Sequence, residues 1–150
     1  MNQAELKERI KKGEDFHTEL KERLPDRENI AKSIVCFANT DGGDLIVGVS
    51  EKNQIVGVED LDKTMRLIDD VSLNRCEPPV TVLQETLEIK DRTVLIVRVP
   101  KGSHRPYRTR SGRFYVRSTN RCRQASREEL LRIFQSDRSV FFDEAPGKQN

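Results

Sequence analysis

The stretch VTVLQETLEIKDRTVLIVRV, residues 80–99, holds two apolar-rich runs on either side of Lys90-Asp91-Arg92. VTVLQETLEI and TVLIVRV are dense in Val, Ile, Leu and Thr, the composition of strands. The connection between them is too short for anything but an antiparallel return. That pair makes the chain a sheet protein. A second compact apolar run, DLIVGV at 44–49, reads as another strand. Glu51-Lys52-Asn53-Gln54 makes a turn after it, and IVGV at 55–58 is expected to return as its hairpin partner. Residues 105–108 and 113–117 read as a third pair around Ser111-Gly112, and residues 16–21 as a short strand.

Helical segments separate these strands. Residues 3–11 have an amphipathic pattern. Pro25 and Asp26 open a second helix, with Asp26 placed as N-cap. Ile30, Ile34, Phe37 and Ala38 give that helix a buried face, and Asn39-Thr40-Asp41-Gly42-Gly43 stops it. Residues 60–73 put Leu61, Met65, Ile68 and Val71 or Ser72 on one side, and Pro78-Pro79 ends the segment. Ser126-Arg127-Glu128-Glu129 is a capping box that opens a last helix, LLRIFQ. The expected fold class is α+β in the two-layer sense: a mixed, largely antiparallel sheet with three to four helices packed on it. Residues 1–135 are expected to form one domain. Residues 136–150, ending SVFFDEAPGKQN, show no clear period and read as a linker toward a further region.

Length and composition agree with one globular unit. A chain of 150 residues buries roughly 68–70% of its unfolded surface, enough for a core without staples. Charged and apolar residues each make up 35%, but the apolar ones are clustered, which argues against disorder. The three cysteines, Cys36, Cys76 and Cys122, are odd in number and none is spaced CxxC. That speaks against a disulfide framework and against a zinc site. The N-terminal residues lack the apolar core of a secretion signal, and no apolar run approaches the about 18 residues of a membrane span. The expected setting is a reducing cytoplasm, with no membrane partner.

The net charge of +2 hides an uneven distribution. Residues 41–91 carry 5 basic and 12 acidic side chains, whereas residues 92–135 carry 12 and 2. Between Lys101 and Arg127 stand nine positive side chains and no acid. Such a segment can attract phosphate despite a near-neutral total. The candidate nucleic-acid contacts are Arg105, Arg108, Arg110, Arg113, Arg117, Arg121 and Arg123, because the planar guanidinium donates two parallel hydrogen bonds to phosphate. Tyr107 and Tyr115 are candidate stacking partners for unpaired bases. The competing reading is a solvated basic face with Phe114 or Tyr115 in the core. Gly42 and Gly43 read as a helix cap and Gly48 as a point of close backbone approach. No G-x-x-x-x-G-K-[ST] loop occurs. His17 and His104 read as surface or packing residues. Cys36 is expected on a buried helix face, and Cys122 sits between Arg121 and Arg123, where positive charge would lower a thiol pKa.

Five segments follow one another in an order that resembles a known family: Glu14-(x4)-Glu19-Leu20-Lys21, FANTDGGDLIVGVSEKNQIVGVED, the paired prolines, VLIVRVPKGSHRPYR and GRFYVRSTNRCRQASREELLRIF. Together, over residues 13–135, they resemble the Schlafen AlbA-type DNA-binding domain. The resemblance implies binding of DNA or RNA, often as a homodimer, within a longer protein such as a transcriptional regulator. Binding as such needs no cofactor. The resemblance also implies a second activity, metal-dependent cleavage of structured RNA such as tRNA. Its carboxylates would fall on Glu14, Glu19 and Glu51, which would hold Mg²⁺ or Mn²⁺, with Lys21 offsetting charge on the scissile phosphate. Ser50-Glu51 departs from the acidic pair usual there. A third reading makes the domain a dimerisation module whose arginines meet the acidic 41–91 segment of a neighbour.

Overall fold

The computed structural model describes residues 1–144, with side chains described through Ser136. Its elements in chain order are α1 (Gln3–Lys12), β1 (Thr18–Lys21), α2 (Arg27–Asn39), β2 (Gly43–Val47), α3 (Leu61–Asn74), β3 (Cys76–Glu77), β4 (Leu83–Ile89), β5 (Arg92–Val99), β6 (Arg108–Thr109), β7 (Tyr115–Ser118), β8 (Arg121–Gln124) and α4 (Arg127–Glu144). The main sheet has the order β1-β2-β5-β4. β1 and β2 are parallel and the other two pairings antiparallel. The expected mixed, largely antiparallel α+β architecture is therefore the one observed.

The β4–β5 hairpin forms as its composition predicts. Ile89 pairs with Arg92 across two residues, Lys90 (φ 49°) and Asp91 (φ 63°). Two consecutive left-handed residues make the turn whose twist matches the flanking strands. Alternation along β2 and β5 then divides the interior. Leu45, Val47, Leu95 and Val97 face α2 and α3, whereas Ile46, Ile96 and Val94 meet Leu6 and Ile10 of α1. Each such aliphatic side chain contributes about 1.5–3 kcal/mol on burial. The sheet is thus covered on both faces.

The expected hairpin between DLIVGV and IVGV does not form. Both edges of β2 are already occupied, by β1 and β5, so residues 55–58 have no free ladder to join. They make one isolated bridge, Val49 to Ile55. They then fold back on Gly48, whose carbonyl accepts from Val56 and Gly57 N–H. Gly48 (φ 109°) lies about a carbon contact from the Gly57 backbone, where an added Cβ would sit 3.1 Å away. The close approach expected there is real.

The expected arginine hairpin around Ser111-Gly112 is also not made. A tight turn exists, with Gly112 N–H donating to the Thr109 carbonyl, but its arms diverge. β6 pairs with β3, and β7 turns back on β8 through Thr119-Asn120. The buried amide of Asn39 takes the place of a ladder between the arms. Its Nδ2 donates to the carbonyls of Tyr107 and Tyr115, both at 2.8 Å, and its Oδ1 accepts from Tyr107 N at 2.5 Å. Cys36 and Cys122 are joined as a disulfide that ties α2 to β8, against the expectation from cysteine count. An odd number of cysteines allows one pair and one free thiol, here Cys76.

Asp26 occupies the N-cap position of α2 but makes no side-chain cap bond. The capping box at α4 has both arms, Glu129 N–H to Ser126 Oγ and Ser126 N–H to Glu129 Oε1. That helix continues through Glu144, so the boundary expected at 135/136 falls inside it. Residues 145–150 of the expected linker lie outside the described residues.

Candidate nucleic-acid interface

The seven arginines of the basic segment have different roles. Arg117 is structural, contrary to its expected place among phosphate contacts. β7 aims it inward, where its side chain is 0% exposed. All five of its N–H groups have acceptors: Nε and Nη2 on the Asp15 carbonyl, Nη2 on Thr18 O, Nη1 on Glu19 Oε1 at 2.5 Å, and Nη1 on Cys122 Sγ. The guanidinium also lies over the Phe37 ring, 4.8 Å from its centroid. A fork with every donor engaged has none left for phosphate.

Two more arginines meet carboxylates at the surface. Arg108 donates from Nε and Nη2 to Glu77 Oε1, at 3.0 and 2.9 Å. Arg123 grips Glu129 with both Nη atoms at 2.7 Å. That hydrogen bonding holds the Glu129 carboxyl down at about 2 and raises the Arg123 guanidinium. Arg105 is half-buried and donates to the Asn39 carbonyl. Arg110, Arg113 and Arg121 are exposed, and their side chains form no ion pair or hydrogen bond among the described residues. Arg110 and Arg113 flank Ser111-Gly112 ahead of β7, and Arg121 is the first residue of β8.

The expected stacking tyrosines are not available. Tyr107 is 5% and Tyr115 9% exposed. Tyr107 packs under Gly102, with its hydroxyl accepting from His104 N–H. Tyr115 lies in the main core beneath Lys32. The competing reading, which put Phe114 or Tyr115 in the core, holds for Tyr115, and Tyr107 is buried as well. His17 pairs with Asp41 at the surface and His104 is exposed, in keeping with the surface roles read for them.

The structure does not bring the three expected metal carboxylates together. Glu14 is fixed by accepting from Leu20 N–H at 3.0 Å. It lines a cavity of about 980 Å³ that also contains Lys21 and Glu51. Glu19 is instead on the α2 side of β1, with one oxygen on Arg117 and the other accepting from Ser33 Oγ at 2.7 Å. Among the described residues no three His, Cys, Asp or Glu side chains gather as a metal-holding group. A carboxylate already saturated by a buried guanidinium is a poor donor to Mg²⁺ or Mn²⁺, so this set does not fit the ion.

Sequence reasoning did not find the role of Asn39. An asparagine before Asp-Gly-Gly reads as a helix stop, and nothing in its neighbourhood signals that its side chain bridges two distant segments. The same holds for Asp44, a buried acid that takes both Arg9 and Arg98.

The domain is thus an α+β unit with a mixed sheet and a partly paired arginine surface beside β7. The chain is a member of the Schlafen AlbA_2 family, whose profile matches residues 14–126. Two solved structures share the fold. One is the N-terminal domain of a protein from Nitrosomonas europaea described as related to the ATP-dependent DNA helicase RecG. It has a TM-score of 0.61 at 22% identity, over 73% of this chain and 81% of that one. The other is the DIP2311 protein of Corynebacterium diphtheriae, with a TM-score of 0.59 at 23% identity. The match covers 81% of this chain but only 24% of that protein. No curated protein is significantly similar to the chain. No described helix is long and apolar enough to cross a membrane.

Proposed function

We propose that the domain binds nucleic acid through its phosphates, with Arg110, Arg113 and Arg121 as the main contacts. The observation that carries this reading is that these three cations project to solvent without an internal carboxylate, in a segment of nine positive side chains and no acid. Arg105, Arg108 and Arg123 border them, and the latter two can exchange a carboxylate for a phosphate. Family membership and the helicase-related relative support the same partner. With Tyr107 and Tyr115 buried, neither tyrosine stacks on a base, and binding through the arginines is backbone-dominated and weakly sequence-selective. A homodimer would double the number of phosphates reached. A role in transcriptional regulation would come from whatever longer protein carries the domain. No cleavage step is assigned, since Glu19 is committed to Arg117.

The test is a gel-shift panel of ssDNA, dsDNA, tRNA and dsRNA, run with and without Mn²⁺. Retardation of nucleic acid by the wild type and its loss in the R110Q/R113Q/R121Q variant is expected, with intact nucleic acid in all lanes. Equal retardation by that variant would remove these residues from the interface.

A further inference from the structure

The side of the molecule covered by α1 holds a cavity that the phosphate-binding proposal does not use. Its volume is about 540 Å³, within the range of small-molecule sites. Its apolar lining comes from Ile10 of α1, Ile55 after the irregular turn, and Ile89 at the end of β4. All three belong to, or pack against, the smaller hydrophobic core. Around them stand Lys7, Lys11, Lys90 and Arg92. Asn53 and Gln54 complete the wall, and no acidic residue lines it.

Local structure holds these groups in place. Lys7, Ile10 and Lys11 have the i, i+3, i+4 spacing that puts them on one helix face. Lys90 is the first left-handed residue of the β4–β5 turn, and Arg92 stands opposite Ile89 in register. Arg92 Nη1 donates to the Val56 carbonyl at 3.1 Å, which keeps its charge at the cavity. None of the four cations has a carboxylate partner among the described residues, although the chain carries almost as many acids as bases. Four cations without a carboxylate partner among the described residues repel one another, and Ile55 and the stems of the exposed lysines leave hydrocarbon in water above the nearly buried Ile10 and Ile89. Both costs fall when an anion with an apolar body enters.

We propose that this cavity binds a small amphiphilic anion, an apolar body bearing a carboxylate or phosphate. The body lies on Ile10, Ile55 and Ile89, and the anionic group is held by Lys7, Lys11 and Lys90. An inorganic phosphate would leave the floor wet, and a neutral amphiphile would leave the charges unpaired. Neither should bind well.

Isothermal titration with decyl phosphate, decanoate, decyl maltoside and inorganic phosphate, below micellar concentration, tests this. Saturable one-to-one binding of at least one of the two amphiphilic anions is expected, with the stronger one reporting which head group is preferred. Decyl maltoside and inorganic phosphate should bind at least about tenfold more weakly. The K7Q/K11Q variant, both positions exposed, should lose about tenfold in affinity for the anion, and K90Q should lose affinity separately. Thermal melts of the free variants confirm that they fold. Equal binding of the maltoside, or an affinity unchanged in both variants, would overturn the assignment. The nucleic-acid contacts lie on other elements, so gel shifts by K7Q/K11Q should match wild type and keep the two proposals separable.

Discussion

Replacing Arg117 by methionine should be among the most damaging single changes available to this domain. The substitution keeps much of the aliphatic volume over Phe37 but removes five donors. Glu19, whose side chain is 10% exposed, would keep only Ser33 Oγ. The Asp15 and Thr18 carbonyls would lose their guanidinium donors and keep only each other's backbone N–H. Breaking a buried pair from one side costs about 3–5 kcal/mol, because the remaining charge stays desolvated. For a domain of this length each kcal/mol moves the melting midpoint by about 2–4 °C, which gives a fall of about 6–20 °C. Adding Glu19→Gln removes the stranded charge, so R117M/E19Q should recover at least about 1 kcal/mol relative to R117M. Urea unfolding followed by circular dichroism reads both. A loss below about 1 kcal/mol in R117M, or a double variant weaker than the single one, would refute the structural role given to this arginine.

Other expectations concern the pieces around it. Asn39→Ala removes three hydrogen bonds to the Tyr107 and Tyr115 backbones and should cost about 3 kcal/mol in urea unfolding. Little or no change would mean the two segments hold without it. The Glu129 carboxyl is at about 2 when folded, against an ordinary 4.5. Its contribution is therefore complete above about pH 4.5 and disappears as pH falls toward about 2. The pair is partly exposed, so Glu129→Gln should lower stability by at most about 1 kcal/mol at neutral pH, and the gap should close in acid. A gap that widens in acid would reverse the sign. Thiol titration of unreduced, denatured protein should find one group, Cys76, and three after reduction. In the native state burial pushes the Cys76 thiol up to about 12, so it should resist alkylation. Three thiols without reductant would break the Cys36–Cys122 link.

The main sheet could be read from residues because its signals are local. Apolar-rich runs, a short turn and a capping box each act within a few positions: β4 and β5 flank the turn as those runs place them, although β4 starts at Leu83 rather than Val80, and α4 opens at Arg127. The misreadings arose where long-range competition decided the outcome. IVGV has strand composition, but β2 had no free edge to offer it. The arms flanking Ser111-Gly112 look like a hairpin, yet Thr119-Asn120 supplies a tighter return that captures β7. The candidate interface divides the same way. Charge asymmetry located the basic segment, but nothing in the one-dimensional pattern shows that Glu19, Glu77 and Glu129, distant in sequence or on another element, neutralise Arg117, Arg108 and Arg123. Burial of Tyr107 and Tyr115 depends on Asn39 in the same way.

The central claim is that solvent-facing arginines bind phosphate, and the salt dependence of affinity tests it most directly. Three neutralised phosphates on duplex DNA give a slope of log K against log salt of about −3, or about 40-fold weaker binding between about 50 and 200 mM. Fluorescence anisotropy with a labelled duplex should return that slope for the wild type and a much shallower one for R110Q/R113Q/R121Q. A wild-type affinity indifferent to salt, or a triple variant with an undiminished slope, would contradict the account.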